Sequence, residues 1–348
     1  MSVGFLLRHT WARRPVSLAL LGLCVLCATL LSPLMLLRGS RAARFTAFAH
    51  TYLAVEILGL WRLSRLRRAP AQAHDALLQR LLTRLFRSAR RNFDLQVLPP
   101  APVPELPDGP LIIASRHAGP GDSFLLVYGS LAYAGRGPRV VLSRLLTLDP
   151  FIDILLRRTP NCFVGRGEAE KRCATERIGR IAGTLGPREA LVIFPEGRKF
   201  TTARRRRLIE RLRERRAPLL PRARELEHVL PPHGPGLFAA IDAAPPGTHV
   251  AFVAHTGLDR IESARQTWAA VPLTCPVEAS WWTVPVAAVP PDPQAREQWL
   301  RAQWLRMDAW IELHGSPQLS RGVEAALEAE NMQKTGTNPG AAAVHGSS

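Results

Sequence analysis

Two residue types that do acid–base chemistry sit close together in Leu111-Ile-Ile-Ala-Ser-Arg-His117-Ala-Gly-Pro-Gly-Asp122-Ser-Phe-Leu-Leu. An imidazole five positions before a carboxylate, across a turn, suits a general base and its orienting partner. The carboxylate fixes the tautomer and stabilises the imidazolium formed when a proton is taken. The bland alternative is a helix-capping Asp122 beside an ordinary loop histidine. Two further turns carry charge: Gly165-Arg166, and Glu196-Gly197-Arg198-Lys199. The chain has no G-x-S-x-G elbow, no G-x-x-x-x-G-K-[ST] loop and no obvious metal-ligand cluster. A base and cations beside a membrane point to a hydroxyl on a phosphorylated lipid, deprotonated as it attacks an electrophile.

The elements around these turns follow from hydrophobic pattern. Leu111 to Ala114 reads as a buried strand, Ala118-Gly-Pro-Gly121 as a turn, and Ser123 to about Ala134 as a helix with Asp122 as its N-cap. Val140–Leu142 is a short strand, Phe151 to Arg158 a helix, and Cys162 to Gly167 a strand end and turn. A helix over Glu168 to about Leu185 leads to a strand at Leu191–Phe194 that stops at Pro195-Glu-Gly197. The alternation predicts an α/β domain with a largely parallel sheet flanked by helices. In such sheets ligands bind beyond the carboxyl ends of the strands, so one crevice is expected to collect the three turns. Downstream, Pro231 to Gly236 reads as turn-rich, Val250–Ala254 and Val277–Val286 as strands, and Glu297 to His314 as a tryptophan-rich helix.

Val16 to Leu37 is a run of 22 uncharged residues between Arg13-Arg14 and Arg38. As a helix it measures about 33 Å, enough to cross a hydrocarbon core. A second apolar stretch, Phe45 to Trp61, contains His50 and Glu56 and reads as a second span, the return limb of a hairpin or an interfacial helix. Basic residues flank the pair at both ends, which fits a hairpin with both ends in the cytoplasm. Pro70 to about Asn92 is an amphipathic helix with Leu77, Leu78, Leu81, Leu82, Leu85 and Phe86 opposite Arg80, Arg84, Arg87 and Arg91. Its leucine face suits either anionic lipid or a core contact. Net charge is +18, with only three lysines among 46 basic residues. Such a surface favours anionic lipid, phosphorylated ligands or nucleic acid. Arginines crowd Thr201 to Arg224, as a solvated helix face or as a contact for anionic headgroups or donor phosphates. The five cysteines imply no disulfide framework, and Cys24-x-x-Cys27 lies inside an apolar run where packing is favoured over zinc.

The charged turns also carry a resemblance. His117 to Asp122 (H-x4-D), Phe163-Val-Gly-Arg166 (F-x-x-R) and Phe194-Pro-Glu-Gly197-Arg198-Lys199, in this order after a membrane anchor, resemble the motifs of the membrane-bound glycerolipid acyltransferases. That family includes the 1-acylglycerol-3-phosphate (lysophosphatidic acid) and lysocardiolipin enzymes. His228 to Gly236, Val250–Ala254 and the Trp299/Trp304 helix resemble the lysocardiolipin-acyltransferase-like branch. The chain departs from the family by Arg198-Lys199 where threonine or serine and then arginine are usual, and by Gly-Pro-Gly inside the first motif. Val250–Ala254 is preferred over Val284-Pro285-Val286 as the fourth motif, on position.

Carried over residue by residue, the resemblance implies that His117 is the general base on a glycerol hydroxyl and that Asp122 orients it. Arg166 would hold the acceptor phosphate, with Glu196, Gly197, Arg198 and Lys199 forming the rest of the acceptor site. The implied reaction moves an acyl group from coenzyme A or acyl carrier protein to a lysophospholipid, with no metal and no cofactor beyond the donor. The implied organisation is an anchor over residues 1–69, an acyltransferase domain over 70–320 and a polar, disordered tail over 321–348. The implied location is the inner or cytoplasmic membrane if the source is bacterial, with the catalytic domain facing the cytoplasm and no nucleic-acid partner. The competing reading is a catalytically silent, membrane-anchored protein that binds anionic lipid or nucleic acid through its arginines.

Overall fold

The computed structural model describes residues 9–315 apart from 101, 166 and 260; the tail expected over 321–348 lies outside the described residues. The chain opens with three helices, α1 (Thr10–Leu37), α2 (Ser40–Arg65) and α3 (Ala71–Phe93). Then come β1 (Val97–Leu98), β2 (Leu111–Ser115), α4 (Asp122–Ala132), β3 (Gly137–Ser143), α5 (Pro150–Leu156), β4 (Cys162–Val164), α6 (Glu168–Ala182) and β5 (Glu189–Ile193). The second half contains α7 (Thr202–Glu214), α8 (Leu220–Glu225), α9 (Gly234–Ala243), β6 (His249–Thr256), α10 (Ala264–Ala270), β7 (Val277–Pro285) and α11 (Pro293–His314).

Among the described residues the strands form one seven-stranded sheet in the order β1-β7-β6-β2-β5-β3-β4. Every neighbouring pair is parallel except β6 with β7. The central strand β2 aligns Ile112 with Leu191 of β5 on one side and with Val250 of β6 on the other. Successive side chains point to opposite faces of a strand. Ile112, Leu191, Val250 and Phe252 accordingly pack on one face against α6, α9 and α11, with fully buried Trp304 at the centre. Leu111, Ile113, Val192 and Ala251 pack on the other face with Leu126 of α4 and Ile152 of α5. Burial on both faces is why these strands read as unbroken apolar runs.

α1 is, among the described residues, the one helix long and apolar enough to cross a membrane. α2 does not stand apart as a second span. It buries Val55 and Leu63 with Leu77 and Leu81 of α3 and Phe151 and Leu155 of α5. Its start is held by Arg41 Nε donating to Val271 O (2.8 Å) and Arg44 Nη1 donating to Asn92 O (3.0 Å). Its end is held by Arg158 Nη1 donating to Leu63 O (2.6 Å). Phe45 to Trp61 lies within this helix, which packs against α1, α3 and α5 along the domain. The start of α1 is fastened too: Arg13 Nη2 reaches Asp153 Oδ1 at 2.7 Å with both side chains 1% exposed. The same contacts settle the leucine face of α3, which is core.

Candidate functional site

β2 ends at Ser115, and the chain turns through His117–Gly121 into α4 at the carboxyl edge of the sheet. The turn needs its glycines. Gly119 has φ +84°, and a Cβ there would sit 2.6 Å from Leu258 O. Asp122 is not the N-cap expected from sequence; Gly121 holds that place in the left-handed region, and Asp122 is the first helical residue. The shift by one position frees its carboxylate to bend back over the turn. Oδ2 accepts from His117 Nδ1 (2.7 Å) and from Ala118 N (2.7 Å), while Oδ1 accepts from Ser123 N (2.6 Å). Burial opposes ionisation of Asp122, but these hydrogen bonds and the charge of His117 hold its carboxyl below the ordinary range. An ionised carboxylate cannot donate, so Nδ1 of His117 carries a proton, and in the neutral form of the ring the lone pair lies on Nε2. Nε2 makes no hydrogen bond among the described residues, and the side chain is 29% exposed. A neutral imidazole with a buried carboxylate behind it and an open Nε2 in front is arranged to accept a proton.

The turn after β5 closes on this dyad. The Phe194 ring lies 4.8 Å from the His117 ring, and Phe200 N donates to His117 O at 2.5 Å. Glu196 is buried: Oε1 accepts from His117 N (3.4 Å) and Oε2 from Leu230 N (3.0 Å). Complete burial pushes its carboxyl up to about 8, against the pull of Arg116 and of the two backbone donors. Glu196 therefore ties three segments together and shapes the site from beneath. Gly197, at φ +64°, and Arg198 are exposed. Lys199 is half-buried, with Nζ 3.5 Å from Ile261 O; burial lowers its pKa against the opposing charges of Asp122 and Glu262. His233 N donates to Pro195 O at 2.8 Å, so the His228–Gly236 segment packs onto the same turn.

Arg166 lies outside the described residues. Its neighbours place the turn: β4 ends at Val164, and Gly167 is the N-cap of α6. β4 lies beyond β3 from β5, and all these strands are parallel, so the turn emerges at the same sheet edge as His117. Val250–Ala254 lies within β6, whose exit also reaches that edge. Pro285 pairs with His249 at the opposite end of β6, away from the site.

Sequence reasoning missed three residues under the dyad. Arg116 is fully buried; Nη1 donates to His255 O (2.9 Å), Nη2 to His228 O (2.8 Å), and Asp259 Oδ2 lies 3.7 Å away. Asp259 in turn accepts from Thr256 Oγ1 and Gly257 N, both at 2.9 Å. His255 has its Nε2 4.0 Å from Asp122 Oδ2, and burial first, then Arg116, lowers its pKa to about 4, which keeps it neutral. The available signal was a charged residue directly after an apolar strand. Its partners are more than a hundred positions away and left no local pattern.

Residues 94–251 match the family model described as Acyltransferase. In overall structure the chain is similar to the 1-acyl-sn-glycerophosphate (LPA) acyltransferase PlsC from Thermotoga maritima, at 12% identity and a TM-score of 0.48, over 79% of this chain and 98% of that one. No curated protein matches the sequence.

Proposed function

We propose that the chain is a membrane-bound acyltransferase that moves a fatty acyl group from a thioester, on coenzyme A or acyl carrier protein, to a hydroxyl of a lysophospholipid such as 1-acyl-glycerol-3-phosphate. The carrying observation is the dyad: His117 Nδ1 held by buried Asp122 at 2.7 Å with Nε2 open at the carboxyl edge of the sheet. Nε2 takes the proton of the acceptor hydroxyl as its oxygen attacks the thioester carbonyl. The tetrahedral intermediate then collapses, the C–S bond breaks, and the imidazolium returns the proton to the departing thiolate. Asp122 stabilises that imidazolium. No covalent enzyme intermediate is required, and no metal takes part.

Arg166 and Lys199, with exposed Arg198 beside Gly197, are the residues assigned to the acceptor phosphate; Glu196 acts by fixing the turn that presents them. The family match supports acyl transfer, and the motif resemblance supports the lysophospholipid acceptor, including the lysocardiolipin-like branch. α1 is assigned to the membrane, with the catalytic domain on the cytoplasmic side and residues 70–320 carrying the activity. The intact dyad favours this reading over a silent lipid- or nucleic-acid-binding protein. Purified protein in membranes, given an acyl thioester and a panel of lysophospholipids, is expected to form one diacyl product, identified by mass. No product with either donor across the panel would refute the proposal.

A further inference from the structure

We propose that the groove between α2 and α3 binds the phosphate headgroup of an anionic phospholipid at a place separate from the His117 site. The groove is a cavity of about 350 Å³ whose rim carries Arg84, Arg87 and Arg91. These three follow the three- and four-residue spacing that puts side chains on one helix face, so their like charges repel one another there. All three are exposed, and none makes an ion pair or hydrogen bond among the described residues. A bound anion relieves that repulsion.

The floor supplies neutral hydrogen-bonding groups. Ser88 Oγ donates to Thr51 Oγ1 at 3.0 Å, joining α3 to α2, and Asn92 Nδ2 donates to Ser88 O (2.9 Å) and Ser88 Oγ (3.0 Å). The carboxylate at the end of α3, Asp94, is paired with Arg44 at 3.1 Å. Thr51 Oγ1 donates to Ala47 O, so the floor groups spend their donors on one another and on the helix backbone, and recognition of phosphate falls to the three guanidinium groups above a neutral floor.

A lipid, rather than free phosphate, is indicated by what adjoins the groove. Farther along α2 from Thr51, Trp61 and nearby Ile57 are 43% and 50% exposed, while Leu58 packs on the core. The Arg65 guanidinium lies 3.8 Å from the Trp61 ring centroid, an aromatic–cation pairing suited to a membrane–water boundary. α1 packs beside α2, Ser32 Oγ lying 3.2 Å from His50 Nε2, and it exposes leucines along most of its length. A phosphate in the groove thus has an apolar track beside it for acyl chains. The inference does not depend on the acyl-transfer reading.

The test uses the full-length protein in neutral detergent micelles. Dihexanoyl phosphatidic acid, dihexanoyl phosphatidylcholine and inorganic phosphate are titrated by calorimetry into wild type and into the R84Q/R87Q/R91Q variant. The expected result is one more equivalent of the anionic lipid bound by wild type than by the variant, or a loss of about tenfold or more in that site's affinity. The extra binding should weaken with salt, and phosphatidylcholine and inorganic phosphate should not reproduce it. Acyl transfer at saturating acceptor should be unchanged in the variant. Equal titrations of the two proteins would overturn the site. Equal binding of inorganic phosphate would overturn the lipid assignment, and equal binding of phosphatidylcholine the charge recognition. Should the triple variant fail to fold, R87Q alone replaces it, with a several-fold weakening expected and no change overturning the site.

Discussion

Replacing Asp122 by asparagine changes one oxygen into an NH2 and removes a charge, with almost no change in shape. The carboxylate accepts from four directions: His117 Nδ1 and Ala118 N on Oδ2, and Ser123 N and Oγ on Oδ1. If the new NH2 takes the Oδ2 place, it meets two donors. The ring must then turn Nδ1 into an acceptor, the proton moves to Nε2, and the base is lost. If it takes the Oδ1 place, His117 keeps its tautomer but its imidazolium loses a charged partner. Losing one charge-assisted hydrogen bond costs about 1.5–3 kcal/mol, or roughly ten- to hundredfold in rate. The wrong tautomer costs about 10⁴-fold in the serine-protease precedent. Asp122→Asn is therefore expected to lower kcat by about 10- to 10⁴-fold while the acceptor KM moves little, since the loss falls on proton transfer. Steady-state thioester consumption, with a thermal unfolding curve to confirm folding, reads both quantities. A folded Asp122→Asn protein with kcat within about threefold of wild type would refute the dyad's role.

Glu196 and Asp153 give two further tests. Because burial raises Glu196 from 4.5 to about 8, the folded state keeps a proton that the unfolded chain gives up. Its contribution is fully present below pH 4.5 and falls by about 1.4 kcal/mol per pH unit until about pH 8. The unfolding-temperature difference between wild type and Glu196→Gln should therefore shift against wild type as pH rises from 5 to 8; a pH-independent difference would contradict this. At Asp153, 1% exposed and bonded to Arg13, Arg14 and Arg157, an Asp153→Ala change removes a buried carboxylate shared by three arginines and should cost about 3 kcal/mol. It should also speed proteolytic release of the α1–α2 hairpin from the domain. Unaltered proteolysis would show that the hairpin is held by other contacts.

Much of the fold was legible because the central strands are buried on both faces. Leu111–Ala114, Leu191–Phe194 and Val250–Ala254 stand out as apolar runs wherever they pair. The helix α9 was hidden by Gly234-Pro235-Gly236, which reads as a turn, yet proline is well suited to a first helical turn. The arginine-rich stretch read as one segment is two helices, α7 and α8, and α7 buries no residue. At the site, His117, Asp122, Glu196 and Lys199 were legible because a turn places them locally. Arg116, His255 and Asp259 were not, since their association rests on the β2–β6 register and on long loops. The place of α2 was beyond sequence for a similar reason: Glu56 and His50 mark it as a poor span, but only its partners on α3 and α5 say where it lies.

The most direct test of the central claim is the rate of acceptor-dependent thiol release from an acyl thioester by membranes carrying wild type or His117→Ala at matched protein levels. The variant should release thiol about 10²- to 10⁴-fold more slowly with its fold intact. A folded His117→Ala protein that turns over at the wild-type rate would contradict it.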